Sequence, residues 1–90
     1  GFHIVKLDET GEVISSNQFG PGFSVYGIHE DNGLLVLAAG HDGILIYNWN
    51  ETDASPIGKI ETSFANAVKV IDNIIFAGTE DGIEIIQIDY

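Results

Sequence analysis

The 90-residue chain has no cysteine, no methionine and no arginine, and holds only three lysines and two prolines. Without cysteine there is no disulfide framework, no thiolate nucleophile and no thiolate metal site, and the chain suits either redox compartment. No apolar run approaches the roughly 18–20 residues of a membrane span. Fourteen Asp and Glu against Lys6, Lys59 and Lys69 leave a formal charge of −11. Such a field repels phosphate backbones and argues against nucleic-acid binding. No basic stretch precedes an apolar one, as a secretory signal requires, and Val5 stands where a myristoylation signal needs Ser or Thr. What is abundant is apolar: 44% of residues are hydrophobic, enough for a packed core and too many for a disordered chain. The length corresponds to one domain or less.

The chain repeats itself. Leu37-Ala38-Ala39-Gly40-His41-Asp42-Gly43-Ile44-Leu45-Ile46-Tyr47 aligns with Phe76-Ala77-Gly78-Thr79-Glu80-Asp81-Gly82-Ile83-Glu84-Ile85-Ile86 at a shift of 39. A third copy opens the chain, where Gly1–Thr10 falls on Gly43–Thr52 at a shift of 42. A period of about 40 residues built from short apolar segments is the signature of stacked β units.

Each copy reads as strand, being rich in Ile, Val, Leu, Tyr and Phe and bounded by turn dipeptides. Asp42-Gly43 and Asp81-Gly82 suggest two-residue type I′ hairpins, in which both central residues have positive φ. Asn32-Gly33 carries the same signal, and Asp72-Asn73 a weaker form of it. Asp8–Gly11 suits a longer hairpin loop. Strands are expected at Phe2–Leu7, Glu12–Ser15, Ser24–Glu30, Leu34–Ala39, Gly43–Trp49, Pro56–Thr62, Ala67–Ile71, Ile74–Ala77 and Gly82–Ile88. The apolar residues occupy both faces: Phe2 and Ile4 against Val5 and Leu7, Ile44 and Ile46 against Tyr47 and Trp49, Ile83 and Ile85 against Ile86 and Ile88. A sheet with one wet face alternates apolar and polar residues, so burial on both faces is expected.

Antiparallel hairpins sandwiched on two sides and repeating every 40 residues predict an all-β fold of β-propeller blades. Residues 1–15 would be the two outer strands of one blade, 24–62 a complete blade, and 67–90 the first three strands of the next. Nine strands fall short of a closed ring. Either further blades of the same chain complete it, or copies assemble as a homo-oligomer in which residues 2–15 finish a neighbour's last blade. The third-strand role, claimed by both Phe2–Leu7 and Gly82–Ile88, favours the first account.

The segment Asn73-Ile74-Ile75-Phe76-Ala77-Gly78, followed by Gly82-Ile83-Glu84-Ile85-Ile86-Gln87-Ile88, resembles the LVIVD-type propeller repeat, with WD40 repeats as broader relatives. The chain departs from both patterns. The Gly-His and Trp-Asp dipeptides of WD40 repeats are absent, and Gln87, Asn48 and Lys6 stand where the LVIVD pattern has Asp. The resemblance implies a prokaryotic or cell-surface propeller, or a protein–protein scaffold, and carries no catalytic residue onto this chain.

No catalytic constellation is legible. His3, His29 and His41 lack ligand spacing, so no metal or other cofactor is expected. Asn48–Asp53 has oxygens at alternate positions but lacks the central Gly of a calcium loop, and reads as a solvated turn. The acidic residues are spread along the chain rather than paired for general acid–base work. Asn50-Glu51-Thr52 is a glycosylation sequon on an expected loop, which makes Asn50 an acceptor if the protein is extracellular or at the cell surface. Phe19, Phe23 and Tyr26 lie on the long connection around Gly20-Pro21-Gly22, where they either anchor a ligand at the propeller rim or plug the space between blades. The expected function is therefore a non-enzymatic scaffold presenting an acidic rim to a protein partner. The alternatives are a glycan-binding or hydrolase propeller whose site lies on other blades, and a self-assembling two-blade subunit.

Overall fold

The computed structural model describes residues 1–50 and 52–88. These form nine strands: β1 (Phe2–Leu7), β2 (Val13–Phe19), β3 (Gly27–Asp31), β4 (Leu34–Ala38), β5 (Ile44–Trp49), β6 (Ala54–Ile60), β7 (Ala65–Ile71), β8 (Ile74–Thr79) and β9 (Gly82–Gln87). They group into three antiparallel meanders: an N-terminal sheet β1-β2, a middle sheet β3-β4-β5-β6 and a C-terminal sheet β7-β8-β9. The fold is all-β. Among the described residues no helix is long and apolar enough to cross a membrane.

The turns follow from local chemistry, with one correction. Asn32 and Gly33 both have positive φ, as do Asp72 and Asn73, so these two pairs meet the type I′ requirement. Asp42-Gly43 and Asp81-Gly82 do not, because only the glycine of each pair has positive φ. In the first, Gly43 N–H donates to Gly40 O at 3.1 Å and Ala39 N–H to Gly43 O at 2.9 Å. The turn thus spans Gly40–Gly43 with His41 and Asp42 at its centre, and left-handed Gly43 resumes the ladder as a bulge residue would. A side chain there would collide with the carbonyl of Ile60, 2.3 Å from the Cβ position.

Most strand limits shift by one to four residues, β7 starting at Ala65 and β8 running to Thr79, and three shifts have identifiable reasons. β3 starts at Gly27 rather than Ser24, although Tyr26 N–H still reaches Ala38 O at 2.8 Å. β2 runs on to Phe19 because Ser15–Gln18, polar and unpromising in sequence, still pair with β1. β6 begins at Ala54 and takes Pro56 at the register shift opposite Ile46/Tyr47, on the outermost strand, where a missing N–H costs no ladder bond.

Packing is directional. Each sheet has a back, on the side of the sheet that precedes it in the chain, and a front on the opposite side. On the front of the middle sheet Leu34, Val36, Ala38, Ile44 and Ile46 pack against Ala65, Val70, Ile75 and Ala77 of the C-terminal sheet. On its back Leu35, Leu37 and Tyr47 pack against Phe2, with Ile4 and Phe19 of the N-terminal sheet alongside. Every residue of β4 is buried. Burial of both faces therefore holds for the middle sheet alone, and there for its inner strands β4 and β5, since Ile28 of β3 and Ile57 of β6 are exposed. The back of β1 (Val5, Leu7) and the front of β9 (Ile83, Ile85) are bare, because no sheet lies beyond them among the described residues.

The inner strands approach closely. A Cβ on Gly27 would lie 3.3 Å from Ala67 Cα, and Val70 N–H donates to His29 Nδ1 at 2.9 Å, joining β7 to β3. Leu37→Ala, which opens a void at a fully buried position, is expected to cost about 3 kcal/mol, and Ile83→Ala well under 1 kcal/mol. Urea titrations of the two variants check the contrast.

Candidate functional site

The strands alternate in direction, so the connections collect at two ends. One end carries residues 20–26, the turn 39–43, the link 61–64 and the turn 80–81; the other carries the β1–β2 loop and the turns at 32–33, 50–53 and 72–73. A cleft of about 310 Å³ opens at the first end, lined among others by Phe23, Tyr26, His41, Asp42 and Phe64.

The backbone places each wall. Gly40 and Ala65 exchange N–H···O bonds of 2.8 and 3.0 Å, which brings the start of β7 against the His41 turn. Phe64 then sits between two rings, with Tyr26 at a centroid distance of 4.9 Å and His41 edge-on at 4.8 Å. Gly40 has φ +60, and a Cβ on it would stand 2.8 Å from Tyr26 Cε2 and 3.0 Å from Phe64 Cε2. Only glycine allows this backbone to turn left-handed beneath the two rings. The opposite wall is the Gly20–Phe23 turn, where the Gly1 ammonium donates to the Phe23 carbonyl.

The three sequence-selected aromatics divide here. Phe19 stacks on Phe2 at 5.4 Å and fills the space between the N-terminal and middle sheets, away from the cleft. Phe23 packs beside Tyr47 at 6.5 Å while also lining the cleft. Tyr26 stands at the rim, 54% exposed. Phe64 and His41 join them through tertiary structure. The sequence offered one signal for Phe64, an aromatic just before an inner strand, but nothing to pair it with His41.

A second cleft of about 260 Å³ lies at the other end, lined by Asn32, Trp49, Asn50 and Asp53 among others. Trp49 Nε1 donates to Glu30 Oε2 at 3.3 Å, and that oxygen also accepts from Gly33 N–H at 3.0 Å. Asn50 is exposed, and its Oδ1 accepts from Thr52 N–H at 3.1 Å and Asp53 N–H at 3.0 Å. The middle residue of the sequon, Glu51, lies outside the described residues. Among the described residues this end holds seven of the twelve acidic side chains: Asp8, Glu9, Glu12, Glu30, Asp31, Asp53 and Asp72. Among the described residues no three His, Cys, Asp or Glu side chains converge as metal ligands.

Asp8 organises its loop. Its Oδ1 accepts from Thr10 Oγ1 at 2.7 Å, Thr10 N–H at 2.8 Å and Glu12 N–H at 3.0 Å. These bonds favour the ionised form, the Thr10 hydroxyl most, and hold the carboxyl below its ordinary value of 3.8.

Compared with known proteins, the chain matches no family model, no curated protein and no solved structure.

Two outcomes are expected. Gly40→Ala, forced into a left-handed backbone and against the Tyr26–Phe64 pair, should lose about 2 kcal/mol in chemical denaturation and shift the Tyr26 ring resonances. Because the Asp8 carboxyl is lowered on folding, its contribution is complete above pH 3.8 and is lost as pH falls through its lower folded value. The Thr10 and Glu12 amide resonances should move together in that acidic range, and Asp8→Ala should abolish the transition.

Proposed function

We propose that this chain folds as β-propeller blades and acts as a non-enzymatic scaffold, taking a protein partner at the Tyr26–His41–Phe64 cleft. The observation that carries the reading is the double-sided burial of the middle sheet by a sheet before it and a sheet after it. In a propeller the loops of neighbouring blades meet at one rim, and ligands bind where they meet. The cleft is such a junction, built from two sheet-to-sheet connections and one turn. The likeness of the strand-and-turn pattern to LVIVD repeats supports the same architecture.

The cleft chemistry suits a cationic side chain on an extended peptide. Tyr26 offers an exposed ring backed by Phe64, Asp42 lines the same cleft, and the charge of −11 draws basic partners. A Lys- and Arg-containing peptide titrated into the protein should perturb the Tyr26, His41 and Phe64 resonances. Tyr26→Ala should weaken its binding roughly tenfold, equivalent to about 1.4 kcal/mol, and raising the salt concentration should weaken it further. Binding of a neutral oligosaccharide at the cleft, with no response to the peptide, would replace this reading with the glycan-binding one.

A further inference from the structure

The two bare sheet faces are alike in one respect. The front of the C-terminal sheet presents Ile71, Ile74, Phe76, Ile83 and Ile85, with Lys69 and Gln87; Ile83 and Ile85 are 75% and 68% exposed. The back of the N-terminal sheet presents Val5, Leu7 and Val13, with His3, Ser16 and Gln18; Val5 and Leu7 are 49% and 53% exposed. Fourteen of the 90 residues are Asp or Glu, yet neither face includes one within its strands. Among the described residues the acidic side chains sit in turns and loops, except Glu30 and Asp31 at the end of β3 and Glu84 on the other side of β9, opposite Ala77. A surface that is apolar and free of carboxylate in so acidic a chain is suited to burial.

The ladder registers say what kind of surface buries it. The cross-strand pairs Val36↔Ile46 and Ala38↔Ile44 of the middle sheet correspond to Phe76↔Ile85 and Gly78↔Ile83 of the C-terminal sheet. The first set is covered by the back of the next sheet, whereas no sheet lies against the second among the described residues, leaving Ile83 and Ile85 exposed. Likewise Leu45 and Tyr47 correspond, at the 42-residue shift, to His3 and Val5; the former lie under the front of the preceding sheet and the latter are open. Front-on-back contact therefore occurs twice within the chain, and the two faces it leaves over are one front and one back. A two-stranded sheet suffices for such a contact, since β1-β2 already covers Leu35, Leu37 and Tyr47.

We propose that a second copy of this chain docks the back of its β1-β2 sheet onto the front of the β7-β8-β9 sheet, repeating the internal contact between molecules. The inference rests on the sheet-stacking half of the propeller reading and is independent of the cleft. The association is heterologous, so an open assembly of any length keeps one free front at one end and one free back at the other until a ring closes. Joining β9 edge-to-edge to the neighbour's β1 is disfavoured. Both strands run from the cleft end to the opposite end, so in the same head-to-tail sense their pairing would be parallel in an otherwise antiparallel fold.

Sedimentation of the 90-residue chain at physiological ionic strength, up to millimolar concentration, should show concentration-dependent oligomers. Ile85→Glu on the front and Val5→Glu on the back should each reduce it to a monomer. Both positions are open in the single chain, so circular dichroism and Trp49 fluorescence should stay unchanged. Ile83→Glu and Leu7→Glu repeat the test should either first variant unfold. An equimolar mixture of a front variant and a back variant should form a one-to-one dimer, since each supplies the face the other has lost. A monomeric unmodified chain, oligomers that survive both variants, a mixture that stays monomeric, or loss with Ile85→Glu but not with Val5→Glu (a front-to-front dimer) would each overturn the proposal. Peptide binding at Tyr26 in a chain that stays monomeric would show that this inference alone had failed.

Discussion

The structure depends on the burial of the middle sheet from both sides. β4 is apolar in every residue and buried in every residue, and a strand of that kind is stable only where apolar surface covers each face. The N-terminal sheet supplies one cover through Phe2, Ile4 and Phe19, and the C-terminal sheet the other through Val70, Ile75 and Ala77. Neither cover is an independent core. Two or three strands with one buried face fall short of a self-sufficient unit, and their stability comes from the contact with the centre. The three sheets therefore stand or fall together.

The same stacking creates the cleft. Bringing the C-terminal sheet against the middle one sets Ala65 beside Gly40, and two reciprocal hydrogen bonds fix that approach. Phe64 precedes Ala65 directly, so it is delivered to Tyr26 and His41 by a packing event that begins in the core. Most carboxylates of the described residues lie in or beside the turns, Glu84 apart, so negative charge is carried mainly by the two ends. Aromatic and acidic groups at the loops and apolar groups on the sheet faces divide the surface into two chemically distinct zones.

Much of this was legible in the chain. Turn dipeptides with Gly, Asn and Asp separate the strands, and a repeat near 40 residues orders them, because local φ requirements and alternate side-chain placement leave their mark residue by residue. The errors have the same local origin. Asp42-Gly43 resembled a type I′ pair, yet Ala39 and Gly40 join the turn and leave Asp42 at negative φ. Ser15–Gln18 lacked an apolar pattern, but backbone pairing to β1 does not need one. Phe19, Phe23 and Tyr26 could be grouped in sequence as one aromatic connection; only packing separates Phe19, between sheets, from Tyr26, at the rim.

The sequence by itself determined an all-β chain of short antiparallel hairpins, since hydrophobic period and turn chemistry act over a few neighbouring residues. Which faces are covered was decided only by the tertiary structure. Val5 and Leu7 carry the same apolar chemistry as Tyr47 and Trp49, and Ile83 and Ile85 the same as Ile44 and Ile46, but burial belongs to a pair of surfaces rather than to one strand. The cleft is likewise tertiary, because Tyr26, His41 and Phe64 are separated along the chain and meet only when two sheets dock.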